Sequence, residues 1–353
     1  MQKDFHHAIT YILSRWAGFG HQDAEIIAYA AQYVDDSTYM GTVRFDEGQM
    51  YLRTASAHDI LDLRNADKAK DVRTWVPFHF LPGNCGVPRD QHCGKSFKER
   101  LICLANSPVA QDMLAECLRR KDSPHALHRL GITMHVYADT WAHQNFAGLD
   151  AEVNDASDLE VLKPSGYIDL MDELATKLPT KLGHAQVSSC PDLPYIEWEY
   201  SNWQGDKQPP IDNASRLADA ADKMLSFMKQ WRSSGQQPAT QGLTTQERQF
   251  LINKFKEIQH KDADKRHAAW LEMIKLGTVP GISGVPLNYA KDGQNSWKFL
   301  ALGTNNEQTI ISNLLGFDPA FMASNWKLFH DALQFHRLYV LNELLPSYGI
   351  CAA

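Results

Sequence analysis

The chain has 353 residues and a mass of 39.9 kDa, which is enough for one large domain or two ordinary ones. Its composition, with 44% hydrophobic and 22% charged residues, is typical of a globular protein. The net charge of −7 argues against broad binding to nucleic-acid phosphates, and no apolar run is long enough to cross a bilayer.

Helical periodicity dominates the sequence. Apolar residues at helical spacing predict helices over about 4–17 and 22–35, and a more distinct helix over 124–146. Strand signals are short and few, so we predict an all-α fold. Weaker patterns predict further helices near 48–64, 95–120, 167–178, 211–233, 245–274 and 319–345.

Long polar stretches that contain Gly or Pro separate these helices, at 147–166, 183–213 and 276–296. Such loops inside a helical domain usually form lids or the walls of a site. The one linker-like stretch, 233–242, does not indicate an independent domain. We therefore predict a single helical domain over 1–353, with a C-terminal helical extension over about 245–353 as a variant of that organisation.

The predicted helix over 124–146 contains the most closely spaced group of potential metal ligands or catalytic residues. His135, Asp139 and His143 are spaced four apart, so they form one stripe along that helix. Their neighbours are mostly apolar, which predicts a buried stripe that needs polar partners. A divalent metal is one such partner, and a His–Asp hydrogen-bond ladder is the alternative.

Four other segments offer ligands of the same chemical type. His6 lies in the first helix, and Asp35 ends the second helix. His79 is surrounded by aromatic residues and prolines, and His184 and Asp192 lie in the long loop after the central helix. Several imidazoles mixed with carboxylates favour clustered zinc over calcium or magnesium.

In this order, the motifs resemble the zinc-dependent phospholipase C / P1 nuclease superfamily. The closest likeness is to a bacterial branch that includes phospholipases C of the Pseudomonas and Legionella type. The resemblance covers most of the chain and implies a phospholipase C / P1 nuclease-like helical bundle with long ordered loops. The motifs that carry it are Asp4-Phe5-His6, Gln32-Tyr33-Val34-Asp35-Asp36, Pro77-Phe78-His79-Phe80-Leu81-Pro82-Gly83 and His135-Val136-Tyr137-Ala138-Asp139-Thr140-Trp141-Ala142-His143-Gln144.

The resemblance further implies two to three zinc ions (Zn²⁺), with Asp139 bridging between sites. Two spacings depart from the family pattern: Asp139 to His143 is shorter than usual, and His184 to Asp192 is longer. The implied ligands are Asp35, His79, His135 and Asp139 for one ion, His143, His184 and Asp192 for another, and His6 with the N-terminus beside Asp139 for the third.

By the same resemblance, we expect a zinc-dependent phospholipase C that cleaves phosphatidylcholine-type lipids into diacylglycerol and a phosphorylated headgroup. Zinc would activate water and neutralise the phosphate, and Asp35 would orient or deprotonate the attacking water. The expected partner is a phospholipid met at a membrane surface, with no stable nucleic-acid partner. The aromatic residues of the 183–213 loop would wall the lipid pocket or simply pack. The sequence makes no prediction about the oligomeric state.

Other functions stay open at this point. A zinc phosphodiesterase or single-strand nuclease would use the same metals. An HD-type phosphohydrolase would use the literal pair His58-Asp59. A non-catalytic binding protein would keep the metals for stability. Because the first residues lack the basic and apolar regions of a secretory signal, we expect a protein that is cytoplasmic or exported without one.

Overall fold

The structure is a computed structural model that describes residues 1–58, 68–164, 181–233 and 241–351. It is about 53% helical with 9% strand, and the strands form two small antiparallel sheets. The all-α prediction is therefore wrong, and the fold is mixed α/β with a helical majority. The helix predicted near 167–178 lies outside the described residues.

The helices provide the framework of the molecule. A π-helical stretch, Asp4–Ile9, runs directly into the first α-helix. The helices are α1 (Thr10–Trp16), α2 (His21–Asp36), α3 (Lys68–Phe78), α4 (Phe97–Arg100), α5 (Pro108–Arg119), α6 (Ala126–Ala142), α7 (Asn213–Arg232), α8 (Thr245–Glu257), α9 (Ala263–Lys275), α10 (Trp297–Leu302), α11 (Glu307–Ser312), α12 (Asn325–Tyr339) and α13 (Leu345–Ser347).

The first sheet is a hairpin of β1 (Gly41–Arg44) and β2 (Met50–Arg53). It lies where the sequence predicted a helix near 48–64, so that prediction is wrong for its described part. Met50 and Leu52 are exposed while Arg53 is buried, which is the two-residue period of a strand. A short strand needs its partner to form, and the apolar content of the segment alone did not reveal that pairing.

The second sheet arises inside two stretches that the sequence predicted as loops. Its strands are β3 (Ser157–Lys163), β4 (Glu197–Ser201) and β5 (Ile211–Asp212), in the order β3-β4-β5. Trp198 and Tyr200 of β4 stack on one another and are buried in a small core of their own. These aromatic residues therefore pack, which is the second of the two alternatives predicted for them.

In the centre of the molecule, α2 packs against α6. Gly131 of α6 faces α2, where an added Cβ would overlap the Ile27 carbonyl oxygen and lie 2.7 Å from Ala30 Cβ. Glycine is therefore what allows the two backbones to approach. This approach matters because α2 carries Asp35 and α6 carries the predicted stripe.

The C-terminal helices pack on the N-terminal part of the chain. Arg266 of α9 forms a buried ion pair with Asp4 at 2.7 Å. The main buried cluster includes residues from Met1 to Ile350. Residues after 245 thus contribute to the same core as residues before it. Among the described residues, no helix has the length and apolarity needed to cross a bilayer.

Buried histidines away from the predicted site make the fold sensitive to acid. Burial lowers the pKa of His336 in α12 to about 4, from an ordinary value near 6.5. Below pH 6.5 the unfolded chain takes up a proton that the folded chain cannot accept. We therefore expect the free energy of unfolding to fall as the pH decreases from about 6.5 to about 4, by about 3 kcal/mol for this histidine alone.

Thermal or urea unfolding across this pH range measures the effect. In His336→Gln we expect the pH dependence to be shallower by about 1.4 kcal/mol per pH unit, because one differential proton is removed. His92→Gln is the matched control, since His92 is exposed in a loop. A pH profile of His336→Gln that equals the wild-type profile would contradict this account.

Candidate metal centre

Eight side chains from five separate parts of the chain converge at the centre of the molecule. They come from the π-helical stretch, from α2, from the residue after α3, from α6 with its C-cap, and from the loop after residue 181. All eight belong to at least one of three groups whose ligand atoms lie within 4.8 Å of one another. The groups are His6 with Asp35 and His135, His79 with His135 and Asp139, and His143 with His184 and Asp192.

The stripe on α6 forms the middle of this cluster. His135 Nε2 lies 3.2 Å from Asp139 Oδ2, one helical turn away, and His143 Nδ1 lies 3.7 Å from the same oxygen. His143 is the C-cap of α6, so the short spacing from Asp139 still keeps both residues on one face of the helix. Residues around the stripe are buried on all sides of α6, which explains why the helix is apolar around its whole circumference.

Asp35 and His79 close one side of the cluster. Asp35 Oδ1 lies 3.8 Å from His79 Nδ1 and 3.7 Å from His135 Nε2. His79 Nδ1 also lies 3.4 Å from Asp139 Oδ2. The Asp35 side chain is 31% exposed, whereas His79 and Asp139 are almost fully buried, so the cluster opens to solvent beside Asp35.

His184 and Asp192 close the opposite side. Two short 3₁₀ turns, Ala185–Val187 and Cys190–Asp192, fold the loop so that His184 Nε2 comes within 3.9 Å of Asp192 Oδ2. The two turns therefore bring His184 and Asp192 together although they are eight residues apart in the chain. Together with His143, these two residues form one of the three groups with metal-ligand spacing.

His6 and the α-amino group of Met1 occupy the third side. His6 Nε2 lies 3.2 Å from Asp139 Oδ1, and the amine lies 2.9 Å from the same oxygen and 3.2 Å from Asp192 Oδ1. Burial lowers the pKa of this amine, but the carboxylates of Asp139, Asp192 and Asp35 outweigh it and raise the pKa to about 11. In this structure a positive charge therefore lies among the carboxylates.

Four of the five imidazoles are oriented by backbone carbonyls. A carbonyl accepts only, so in each case the ring nitrogen beside it carries a proton, and the other ring nitrogen is the one available to a metal in the neutral ring. The donors and acceptors are His79 Nε2 to Ser56 O at 2.9 Å, His135 Nδ1 to Ala31 O at 2.8 Å, His143 Nδ1 to His79 O at 2.8 Å and His184 Nδ1 to Ser188 O at 2.9 Å.

The pKa values agree with this arrangement. Burial is the largest cause that lowers the pKa of His6 to about 3, of His135 to about 4 and of His143 to about 3, so these rings are uncharged at neutral pH. The neutral imidazole is the form that binds metal. Burial opposes ionisation of Asp139, yet its neighbours, among them the positively charged α-amine of Met1, hold its pKa well below the usual value.

Asp35 differs from Asp139 in its electrostatics. Burial and the charge of Asp139 raise the pKa of Asp35 well above its ordinary value. Asp35 also lies in the last turn of α2, where the helix dipole is negative and disfavours a carboxylate. A bound cation would remove both penalties.

The cluster passes a simple test of fit for a cation. His135 Nε2 and His79 Nδ1, the ring nitrogens that do not face a carbonyl, lie 3.3 Å apart at the centre of the cluster. His6 Nδ1 is buried without a hydrogen-bond partner. Buried polar atoms are rarely left unpaired, and this mixture of imidazole nitrogen and carboxylate oxygen suits zinc.

Other candidate residues lie outside the cluster. The His58 ring is 3.2 Å from the Thr74 hydroxyl, and His58 belongs to none of the three groups with ligand spacing, while its neighbour Asp59 lies outside the described residues. Asp36 turns away from the cluster and accepts a hydrogen bond from Tyr289 at 2.6 Å.

The sequence did not reveal the groups that hold the ligands in place. His336 donates to the Pro77 carbonyl at 2.9 Å and thereby braces the end of α3 just before His79. Phe80 stacks on the His143 ring with centroids 4.4 Å apart. The approach of Phe80 requires Gly183, where an added Cβ would overlap the phenyl ring and where φ is +57°.

Comparison with known proteins places the chain in a family. The model of the family of unknown function DUF6765 matches residues 1–344, so the chain belongs to this family. No curated protein and no solved structure matches the chain.

Proposed function

We propose that this protein is a zinc-dependent phosphoric diester hydrolase of the phospholipase C type. It would cleave phosphatidylcholine-like lipids into diacylglycerol and a phosphorylated headgroup. The observation that carries the proposal is the convergence on three carboxylates of four imidazoles, each of which is oriented through one ring nitrogen by a backbone carbonyl. The resemblance to zinc phospholipases C supplies the choice of reaction.

Zinc bound here by the eight clustered side chains would supply a Lewis acid for phosphate oxygens and a source of hydroxide at neutral pH. The protein contributes the positions of the ligands. The carbonyls of Ala31 and Ser56 hold His135 and His79, and Asp139 lies within 3.7 Å of a histidine from each of the three groups. Fixed ligands of this kind require little reorganisation during the reaction.

Asp35 is the residue we assign to proton transfer. It is the most exposed of the carboxylates in the cluster, at 31%, so a water can approach it from solvent. The attacking water would give its proton to Asp35 as its oxygen bonds to phosphorus. The bond from phosphorus to the glycerol oxygen then breaks, and that oxygen takes up a proton to leave as the diacylglycerol hydroxyl.

Metal analysis and substrate assays test the proposal. We expect two to three zinc ions per purified chain, hydrolysis of phosphatidylcholine vesicles, loss of activity with a chelator and recovery with added zinc. A chain without metal, or a zinc-loaded chain without hydrolysis of any phosphodiester, would contradict the proposal. Cleavage of single-stranded DNA in place of phosphatidylcholine would keep the metal chemistry and replace the lipid substrate.

His58→Ala distinguishes this proposal from the HD-type alternative. We expect this variant to keep its zinc and most of its hydrolytic activity, because His58 contacts Thr74 and lies outside the candidate ligand groups. The measurements are zinc per chain and the initial rate on phosphatidylcholine. An HD-type enzyme would lose both, and that result would refute the assignment made here.

A further inference from the structure

A cavity of about 670 Å³ lies beside the C-terminal end of α2. Its walls come from the end of α2, from β2, from α10 and the segment before it, and from α11 and α12. None of the eight candidate metal ligands lines it. The volume is within the range of sites for small molecules.

The cavity contains two buried cations that share one carboxylate. Arg53 Nη1 lies 2.6 Å from one oxygen of Glu307, and Lys298 Nζ lies 2.5 Å from the other. The side chains of Arg53 and Lys298 are only 3% and 9% exposed. Two positive charges against one negative charge leave a surplus cation away from water, which is costly without an anionic partner.

Arg53 and Lys298 both line the cavity. Arg53 Nε is buried and makes no hydrogen bond. His330 lines the same cavity, and after burial the charges of Arg53 and Lys298 are among the causes that lower its pKa to about 3.

The rest of the cavity carries one net negative charge. At the other end, Lys291 is paired with Asp36 at 3.2 Å, and Asp292 supplies one further carboxylate. The side chains of Tyr33 and Trp326 form apolar parts of the wall. The cavity is therefore polarised, with its cationic end at Arg53 and Lys298.

We propose that this cavity binds a small phosphorylated molecule, with the phosphate held by Arg53 and Lys298. The planar guanidinium of Arg53 suits two phosphate oxygens at once, and the ammonium of Lys298 adds a second charge-assisted hydrogen bond. The volume beyond these two groups accommodates an organic substituent between the aromatic walls. This site is separate from the metal cluster and does not depend on the proposed function.

Titration calorimetry with inorganic phosphate and with phosphocholine, each added to the whole protein, tests the proposal. The titrations are run on metal-replete protein and again in the presence of a chelator. We expect saturable binding in both conditions, because no metal ligand lines the cavity, whereas phosphate held at the cluster is lost with the metal. Tighter binding of phosphocholine identifies a headgroup as the ligand, and equal or tighter binding of inorganic phosphate identifies free phosphate.

Three variants separate a binding site from a purely structural ion pair. Arg53→Gln and Lys298→Met should each weaken binding at least about tenfold, since each removes a charged hydrogen-bond donor. Glu307→Gln should tighten binding several-fold, because it removes the carboxylate that competes with phosphate. A structural role would lower the melting temperature in all three variants and leave the dissociation constant unchanged.

Arg44→Gln is the matched control, because Arg44 is an exposed arginine of the same hairpin that donates to the Ile311 carbonyl and does not line the cavity. Should Arg53→Gln fail to fold, Lys298→Met and Glu307→Gln decide the question. The proposal is overturned when neither probe binds the chelator-treated protein, or when Lys298→Met and Glu307→Gln bind both probes like the wild type.

Discussion

Asp139→Asn is expected to lose the bound zinc and to slow phosphodiester hydrolysis by about three orders of magnitude, which corresponds to about 4 kcal/mol of lost transition-state stabilisation. Asp139 is the carboxylate around which the cluster is organised. It lies 3.2 Å from both His6 Nε2 and His135 Nε2, and 3.4 Å from His79 Nδ1. Asparagine keeps the shape of the side chain but removes the negative charge that attracts cations.

Zinc per chain and the initial rate on phosphatidylcholine vesicles measure this effect. Asp36→Asn is the matched control, because Asp36 lies at the end of α2 beside Asp35 but bonds to Tyr289 and Gln32 and not to the cluster. We expect Asp36→Asn to keep its zinc. A preparation of Asp139→Asn with the wild-type zinc content would show that Asp139 is not a ligand.

Gly131→Ala is expected to destabilise the protein by about 1–3 kcal/mol and to weaken zinc binding. The added Cβ would overlap the Ile27 carbonyl oxygen and would lie 3.1 Å from the Ala31 nitrogen, so α2 and α6 must separate. Their separation would shift the Ala31 carbonyl that orients His135 and would move Asp35 away from Asp139. The sign of the change in unfolding free energy distinguishes two effects. Helix propensity alone predicts that alanine stabilises α6 by about 1 kcal/mol, whereas the close contact with α2 predicts destabilisation.

Urea unfolding and a zinc titration measure the two effects. Gly316→Ala is the control, since Gly316 has a negative φ and open space around its Cα, and its effect should stay within about 0.5 kcal/mol. An increase in the stability of Gly131→Ala would mean that α2 and α6 do not approach as closely as described here.

Much of the candidate site could be predicted because its central part is local. His135, Asp139 and His143 are one helical turn apart, and the α-helix places such residues on one face whatever the rest of the fold does. The ends of α2 and α6 were predicted to within a few residues for the same reason. The strands were not predicted, because β1 and β2 form only through pairing with each other.

The contacts between distant segments could not be predicted. Both His58 and His135 are buried histidines, and His128 falls on the same face of α6 as His135, yet only His135 reaches the cluster. His128 is instead 3.0 Å from the side-chain oxygen of Asn325 in α12. Which histidine meets a carboxylate therefore depends on the packing of other elements against α6.

By itself, the sequence determined which chemical groups are available and which of them share a helix face, because composition and helical spacing are local properties. Only the tertiary structure decided which of the fifteen histidines bring a ring nitrogen close to the carboxylates. That choice rests on backbone carbonyls of Ala31, Ser56, His79 and Ser188, whose directions are set by the packing of elements far apart in the chain.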